Sequence, residues 1–288
     1  MLVLGAGWVG SEVAGVARER FEVTSVDPPF VPELRRRDAD ATRELRRLVR
    51  DTGASMVVNA CGLTRGSADD LEDANVAFPQ WLCGALDGSA VRLVHIGSAS
   101  EYGDPGSDGP VAEDSPLRPV GDYAITKARG SDVVLEARRG GLDAVVARVF
   151  NIVGSPVPAA SPVHQWLVDL EALPAAGGEV EVWWPPTVRD FVTIGDAARA
   201  LVDLAAPGER PATVNVCSGT GLAFGDIVGA LADALGVRAV VTSLDRPGIG
   251  AVVGDPTRMA RVLGWVPQMS LPRLAAAVLA DRVGGPTP

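Results

Sequence analysis

Three glycines at positions 5, 7 and 10 follow directly on a short apolar run, Leu2–Leu4. Behind them, helical periodicity extends to about residue 20. A strand that turns through Gly5-Ala6-Gly7-Trp8-Val9-Gly10 into a helix has few uses. Glycine permits the tight turn and a close backbone approach, and the helix N-terminus attracts an anion. A second alternating apolar segment, 21–26, ends at Asp27, 20 positions after Gly7. A carboxylate at that strand end accepts hydrogen bonds from an adenosine ribose. Loop, helix and acid together predict a dinucleotide site. Asp27 repels a 2′-phosphate and so favours NAD. Arg35, Arg36 and Arg37 stand close behind and could admit NADP, although a solvated basic run is the simpler account of them.

Beyond this opening, apolar runs alternate with helical patterns. Strands are expected at 56–61, 91–96 and 144–149, and helices at 41–50, 71–86 and 123–138. That alternation predicts an α/β chain: a doubly wound parallel sheet of the Rossmann type over residues 1–150, with right-handed crossovers. After Asn151 the segments shorten, with helices near 163–173, 194–206, 224–235 and 271–282 and apolar stretches at 179–184 and 213–216. Residues 151–288 are therefore expected to form a smaller C-terminal substrate lobe, some segments returning to the first domain.

Composition narrows the partners. The formal charge is −10, from 36 acidic and 26 basic residues, which argues against nucleic acid and anionic membranes. No apolar run is long enough to span a bilayer. Met1 leads straight into a strand, so no secretory signal is expected. The cysteines, Cys61, Cys83 and Cys217, form no CxxC pair. Neither a disulfide framework nor a metal site is expected, and a reducing cytoplasm is the natural setting.

The basic set is almost entirely arginine. Lys127 is the single lysine, and Tyr102 and Tyr123 are the only tyrosines. Tyr123 and Lys127 stand four positions apart on an expected helix, on one face. A phenol with a reference pKa near 10 is a poor acid–base group near neutrality; a nearby ammonium lowers that pKa. Arginine keeps the charge but not the compact shape, which accounts for the lone lysine. Upstream, the strand at 91–96 runs into Gly97-Ser98-Ala99-Ser100-Glu101-Tyr102-Gly103. A hydroxyl there sits where open α/β sheets bind ligands. Ser98 or Ser100 could hydrogen-bond a substrate oxygen beside Tyr123, or merely cap a turn.

On these motifs the chain resembles an extended short-chain dehydrogenase/reductase, the family of nucleotide-sugar epimerases, dehydratases and ketoreductases. Further resemblance lies in Asp38-Ala39, Asn59-Ala60-Cys61-Gly62, Asn75-Val76, Arg148 to Asn151, Arg189-Asp190-Phe191 and Asn215 to Gly219. The family's usual GxxGxxG has its first glycine where Leu4 stands, so this loop begins at Gly5 instead. The resemblance implies that Ser98, Tyr123 and Lys127 are catalytic. It implies that Asp38 and Ala39 flank the adenine, that Ala60, Cys61 and Gly62 line the pyrophosphate and ribose, and that Asn75 lies near the nicotinamide-side ribose. Asn151, Arg189 and Arg246 would hold the diphosphate of a nucleotide-sugar substrate. Family members often pair as homodimers.

Within the family, 4,6-dehydratases carry an Asp-Glu pair after the catalytic hydroxyl. Ala99 and Ser100 stand there and cannot transfer those protons. NAD(P)-dependent reduction of a nucleotide-linked 4-keto-6-deoxyhexose is the leading expectation. The alternative is an NAD-dependent C4-epimerase, toward which Asp27 leans. A non-catalytic NAD sensor is the third reading, and an intact acid–base pair argues against it. His95 is expected in the core. His164 could touch a ligand. Trp183 and Trp184 are expected to pack rather than stack on a base.

Overall fold

A computed structural model describes residues 1–27, 36–106, 109–174, 176–183, 187–209, 211–244 and 249–282. The chain opens with β1 (Leu2–Leu4), α1 (Trp8–Ala17) and β2 (Thr24–Val26). Then come α2 (Ala39–Thr52), β3 (Met56–Asn59), α3 (Ala68–Glu72) and α4 (Phe78–Leu86). Next follow β4 (Arg92–Ser98), α5 (Asp122–Arg139) and β5 (Ala144–Val149).

The remainder holds β6 (Asn151–Val153), α6 (Pro162–Glu171), β7 (Gly178–Trp183) and β8 (Val188–Thr193). It continues through α7 (Ile194–Ala205), β9 (Thr213–Val216), β10 (Gly221–Ala223) and α8 (Phe224–Leu235). The last elements are β11 (Ala239–Leu244), β12 (Ala251–Val252), α9 (Thr257–Leu263) and α10 (Leu271–Val278).

Six strands form one parallel sheet in the order β2-β1-β3-β4-β5-β9. The expected neighbours are neighbours: Met56 to Asn59 pair with Arg92 to His95. The order reverses between β1 and β3, and such a reversal opens a crevice at the carboxyl ends of the strands. One face of the sheet packs on α1, α7 and α9 through Val3, Val58, Val145, Ala197, Leu201 and Met259. The other packs on α2, α4 and α5 through Leu4, Leu45, Val57, Leu82, Leu93 and Val134. Each buried Val, Leu or Met side chain among them contributes about 1.5–3 kcal/mol. Polar ends are closed locally. Asp38 caps α2 at the Ala41 amide, and Ser67 and Asp70 form a capping box on α3, each cap being worth about 1 kcal/mol.

A second core lies around Trp166, Leu170, Phe191, Ile227, Leu231 and Leu274. It is organised by a small sheet not expected from the sequence, β10-β8-β12, with β6 pairing β8. Two further strands, β7 and β11, pair in parallel. The late segments β9 and α7 return to the first sheet and its core.

The expected helix 71–86 is interrupted. Asp73–Ala77 form a π turn between α3 and α4. Pro79, in the first turn of α4, has no N–H to continue the ladder, and a π turn absorbs the mismatch. This leaves the Asn75 carbonyl facing α5. A Cβ on Gly130 would lie 1.9 Å from that oxygen.

Candidate active site

The glycine loop follows β1 at the crevice. Gly5 has φ +99, a left-handed conformation that favours glycine, and its amide donates to the Val26 carbonyl at 2.8 Å. A Cβ on Gly5 would meet the Ala60 carbonyl at 2.8 Å, and one on Gly10 would meet the Gly5 carbonyl oxygen at 1.9 Å. The loops after β1 and β3 therefore touch only because these positions lack side chains. Gly7 differs: nothing lies within 4 Å of its missing Cβ. It is the N-cap of α1 and supplies no side-chain cap. Open space in front of uncapped first-turn amides is what a pyrophosphate requires, so the cradle fits a dinucleotide.

A cleft of about 560 Å³ continues from this loop. Trp8, Val9, Ala60, Cys61, Gly62 and Asn75 line it. Asp27, just past β2, bears electrostatically on Cys61, whose thiol is pushed up to about 12, chiefly by burial. Asn75 is buried in the π turn. Its amide holds the Leu63 backbone at both its N–H and its carbonyl, and donates to Thr126 at 3.1 Å. Asp38 spends its side chain on the α2 cap. Asp38 and Ala39 are absent from the described cleft lining. Arg37 pairs with Asp73, and Arg36 pairs with Asp38 at 3.3 Å. Arg35 lies outside the described residues.

Ser98 ends β4 at the cleft floor. Its hydroxyl accepts from the Ser100 amide at 3.2 Å and the Ser100 hydroxyl at 2.9 Å. With both lone pairs engaged, its own hydrogen is left for the Tyr123 phenol oxygen. Tyr123 and Lys127 reach the same floor from α5. Lys127 Nζ donates to the Ile96 carbonyl at 2.5 Å. Burial lowers its pKa and the Glu101 charge opposes that fall. The Tyr123 pKa is raised, first by burial, which disfavours the charged phenolate; the Ser98 hydrogen bond pulls it down and Glu101 pushes it up.

At the far end of the cleft stand Asn151 and Arg189. Asn151 donates to the Asp190 carbonyl at 2.8 Å. Arg189 donates to the carbonyls of Gly250 at 2.7 Å and Ile249 at 3.1 Å and lies over the Phe224 ring. Arg246 lies outside the described residues. The structure adds Trp166 and Phe224, ring centroids 4.8 Å apart, and Arg65, which donates to the Ala160 carbonyl at 2.9 Å. Trp166 and Phe224 sit at ordinary helical core spacing, and no sequence signal separates them from core. His95 is buried, with Nδ1 3.0 Å from the Asn59 amide nitrogen. His164 opens α6 and is not part of the lining. The Trp183 side chain and all of Trp184 lie outside the described residues. Among the described residues no cluster suits a metal ion, and no helix is long and apolar enough to cross a membrane.

Residues 1–217 match the family model for the NAD dependent epimerase/dehydratase family. The chain is 31% identical, over 93% of its length and 88% of the relative's, to a dTDP-6-deoxy-L-talose 4-dehydrogenase (NAD(P)(+)) of Kitasatospora kifunensis. It is 24% identical, over 91% of its length and 70% of the relative's, to a putative UDP-arabinose 4-epimerase of Arabidopsis thaliana. Among solved structures, RMD from Pseudomonas aeruginosa complexed with NADPH shares the fold. The TM-score is 0.80 at 22% identity, covering 98% of this chain and 99% of that one. With the glycine cradle, the parallel sheet and the Ser98, Tyr123 and Lys127 floor already in place, the chain belongs to the NAD dependent epimerase/dehydratase family.

Proposed function

We propose that this protein reduces the 4-keto group of a nucleotide-linked 6-deoxyhexose, using NAD(P)H. The observation that carries the reading is the cleft floor. Ser98, Tyr123 and Lys127 converge there, while Ala99 and Ser100 offer no second acid–base pair for eliminating water. Reduction needs a proton donor. A half-buried Tyr123 whose pKa is raised stays protonated at neutral pH, which is the form that gives a proton to the carbonyl oxygen. Ser98 donates the second hydrogen bond to that oxygen, and Lys127 supports the phenolate that forms. A bound nicotinamide supplies the hydride. The relative named a 4-dehydrogenase of a dTDP-linked 6-deoxyhexose supports this, since dehydrogenation at C4 is the same step reversed.

Gly5, Gly7, Trp8, Val9 and Gly10 hold the pyrophosphate in this reading, with Asp27 on the adenosine ribose. Ala60, Cys61, Gly62 and Asn75 line the rest of the dinucleotide path. Asn151 and Arg189 take the substrate diphosphate, and Trp166 and Phe224 offer an apolar wall to its base. Residues 1–150 form the cofactor half and most of 151–288 the substrate half. Asp27 and the epimerase relative favour a second reading, C4-epimerisation with retained NAD.

The test is nicotinamide oxidation with a dTDP-linked 4-keto-6-deoxyhexose, run beside C4-epimer interconversion without added cofactor. Consumption of reduced nicotinamide that falls about 10²-fold or more in Tyr123→Phe is the expected result. Epimer interconversion without net consumption replaces the reductase by the epimerase, and near-parental rates for Tyr123→Phe in both assays overturn the mechanism.

A further inference from the structure

Glu101 is wholly buried, with 0% of its side chain exposed. It lies between the two elements that carry the catalytic groups. Its Oε1 accepts from the Ser98 amide at 2.8 Å and from the Ser131 hydroxyl at 2.8 Å. Its Oε2 accepts from Arg148 Nε at 2.8 Å. Ser98 ends β4. Ser131 is on α5, four residues beyond Lys127 and eight beyond Tyr123, so the three share one face of that helix. Room for the carboxylate depends on Gly97, where a Cβ would come 2.7 Å from Oε1. A buried carboxylate costs several kcal/mol unless paired and hydrogen-bonded, so its complete set of partners marks a built feature.

We infer that Glu101 is a positioning residue for the catalytic pair: its carboxylate joins the strand end bearing Ser98 to the helix bearing Tyr123 and Lys127, and sets a buried negative charge against both. The inference rests on the reading of Tyr123 as the proton donor. The charge favours the protonated form of each partner, raising Tyr123 and opposing the fall of Lys127. The other groups facing them do not duplicate it. Ser98 bonds Tyr123 and pulls it down; His95, which is neutral, lies near Lys127, and the Ile96 carbonyl accepts from it. Arg148 balances Glu101 and is itself held by the Tyr102 hydroxyl at 3.2 Å and the Glu113 carbonyl at 3.1 Å. Glu101 thus extends the pH range over which ketone reduction has its proton.

The experiment uses the full chain without substrate. Only two tyrosines are present, so in a Tyr102→Phe background the ultraviolet absorbance of tyrosinate reports Tyr123 alone. Glu101→Gln removes the charge but leaves Arg148 buried. Glu101→Leu with Arg148→Met replaces the pair by apolar groups and guards against misfolding. Ser131→Ala removes the helix anchor and keeps the charge. Circular dichroism confirms the fold at each pH. The Tyr123 midpoint is expected to fall by about one pH unit in both charge-removing variants and to stay in place in Ser131→Ala. The alkaline limb of ketone reduction follows the midpoint, whereas Ser131→Ala lowers the rate without moving the limb. An unchanged Tyr123 midpoint in the folded charge-removing variants overturns the inference. Because the titration needs no substrate, it gives its answer even if the keto sugar is not reduced.

Discussion

Gly130→Ala sets two known effects against each other at one atom. Alanine is the better helix former by about 1 kcal/mol, and Gly130 lies within the 18-residue helix α5. Against this, the new Cβ would sit 1.9 Å from the Asn75 carbonyl oxygen, where ordinary contact begins at 3.4 Å. The helix and the π turn must part by about 1.5 Å, and neither atom is the free end of a side chain. Asn75 resists because its amide is already committed to Leu63 and Thr126. Overpacking of this kind costs about 1–3 kcal/mol or more, and backbone against backbone belongs at the upper end. The steric cost wins, for a net loss of about 1–2 kcal/mol and a fall in Tm of about 3–6 °C. Activity suffers more than stability. Tyr123 and Lys127 ride on the displaced helix, and a shift of about 1 Å at a reacting group costs about 10²-fold. Thermal unfolding and nicotinamide oxidation measure the two effects. Gly84→Ala, in α4 with nothing within 4 Å of its missing Cβ, is the control and gains up to about 1 kcal/mol. A Gly130→Ala protein that melts at or above the parent and reduces substrate at the parental rate would refute the argument.

Two further outcomes follow from buried titratable groups. His95 is held neutral, its pKa lowered well below the ordinary value first by burial and then by Lys127. The unfolded chain takes up a proton there as pH falls below about 6.5 and the folded chain does not, so stability drops toward acid at up to about 1.4 kcal/mol per pH unit. In urea unfolding between pH 5 and 6.5, His95→Gln should show a shallower slope, and an identical slope counts against the assignment. The Cys61 and Cys83 thiols are pushed up to about 12, and Cys217 is raised as well, each first by burial. Alkylation of the native protein at neutral pH should run about 10³-fold slower than for a free thiol. Labelling within a few-fold of the free rate would show that these sites open.

What could be read in advance was what short spacing encodes. Gly10 faces the Gly5 carbonyl five residues back, and Tyr123 and Lys127 line one cleft from neighbouring turns of a single helix. Parallel β3 and β4 followed from apolar runs buried on both faces. Features that depend on distant partners stayed out of view. Arg189 and Asp190 make β8 look polar. Yet Asp190 is buried because the amides of Ser218, Gly219 and Gly254, together with the Ser218 hydroxyl, meet its carboxylate. The direction of the Tyr123 shift required knowing how deeply its phenol is buried, and no spacing reports that.

The sixth strand of the parallel sheet is also the last to leave the ribosome. β9 pairs with β5 through Val146–Thr213 to Val149–Val216, and α7 and Met259 complete the core beneath it. A chain halted at residue 150 would hold β5 as a bare edge, with Val145, Ala147 and Val149 uncovered. An unprotected apolar edge of that kind recruits other strands. The N-terminal half therefore cannot be cut out as a module. Any chimera that exchanges the C-terminal half must keep residues 194–216 and the turn of helix around Met259 with the N-terminal part. In the cell, the nascent sheet waits for more than sixty further residues before its edge is sealed.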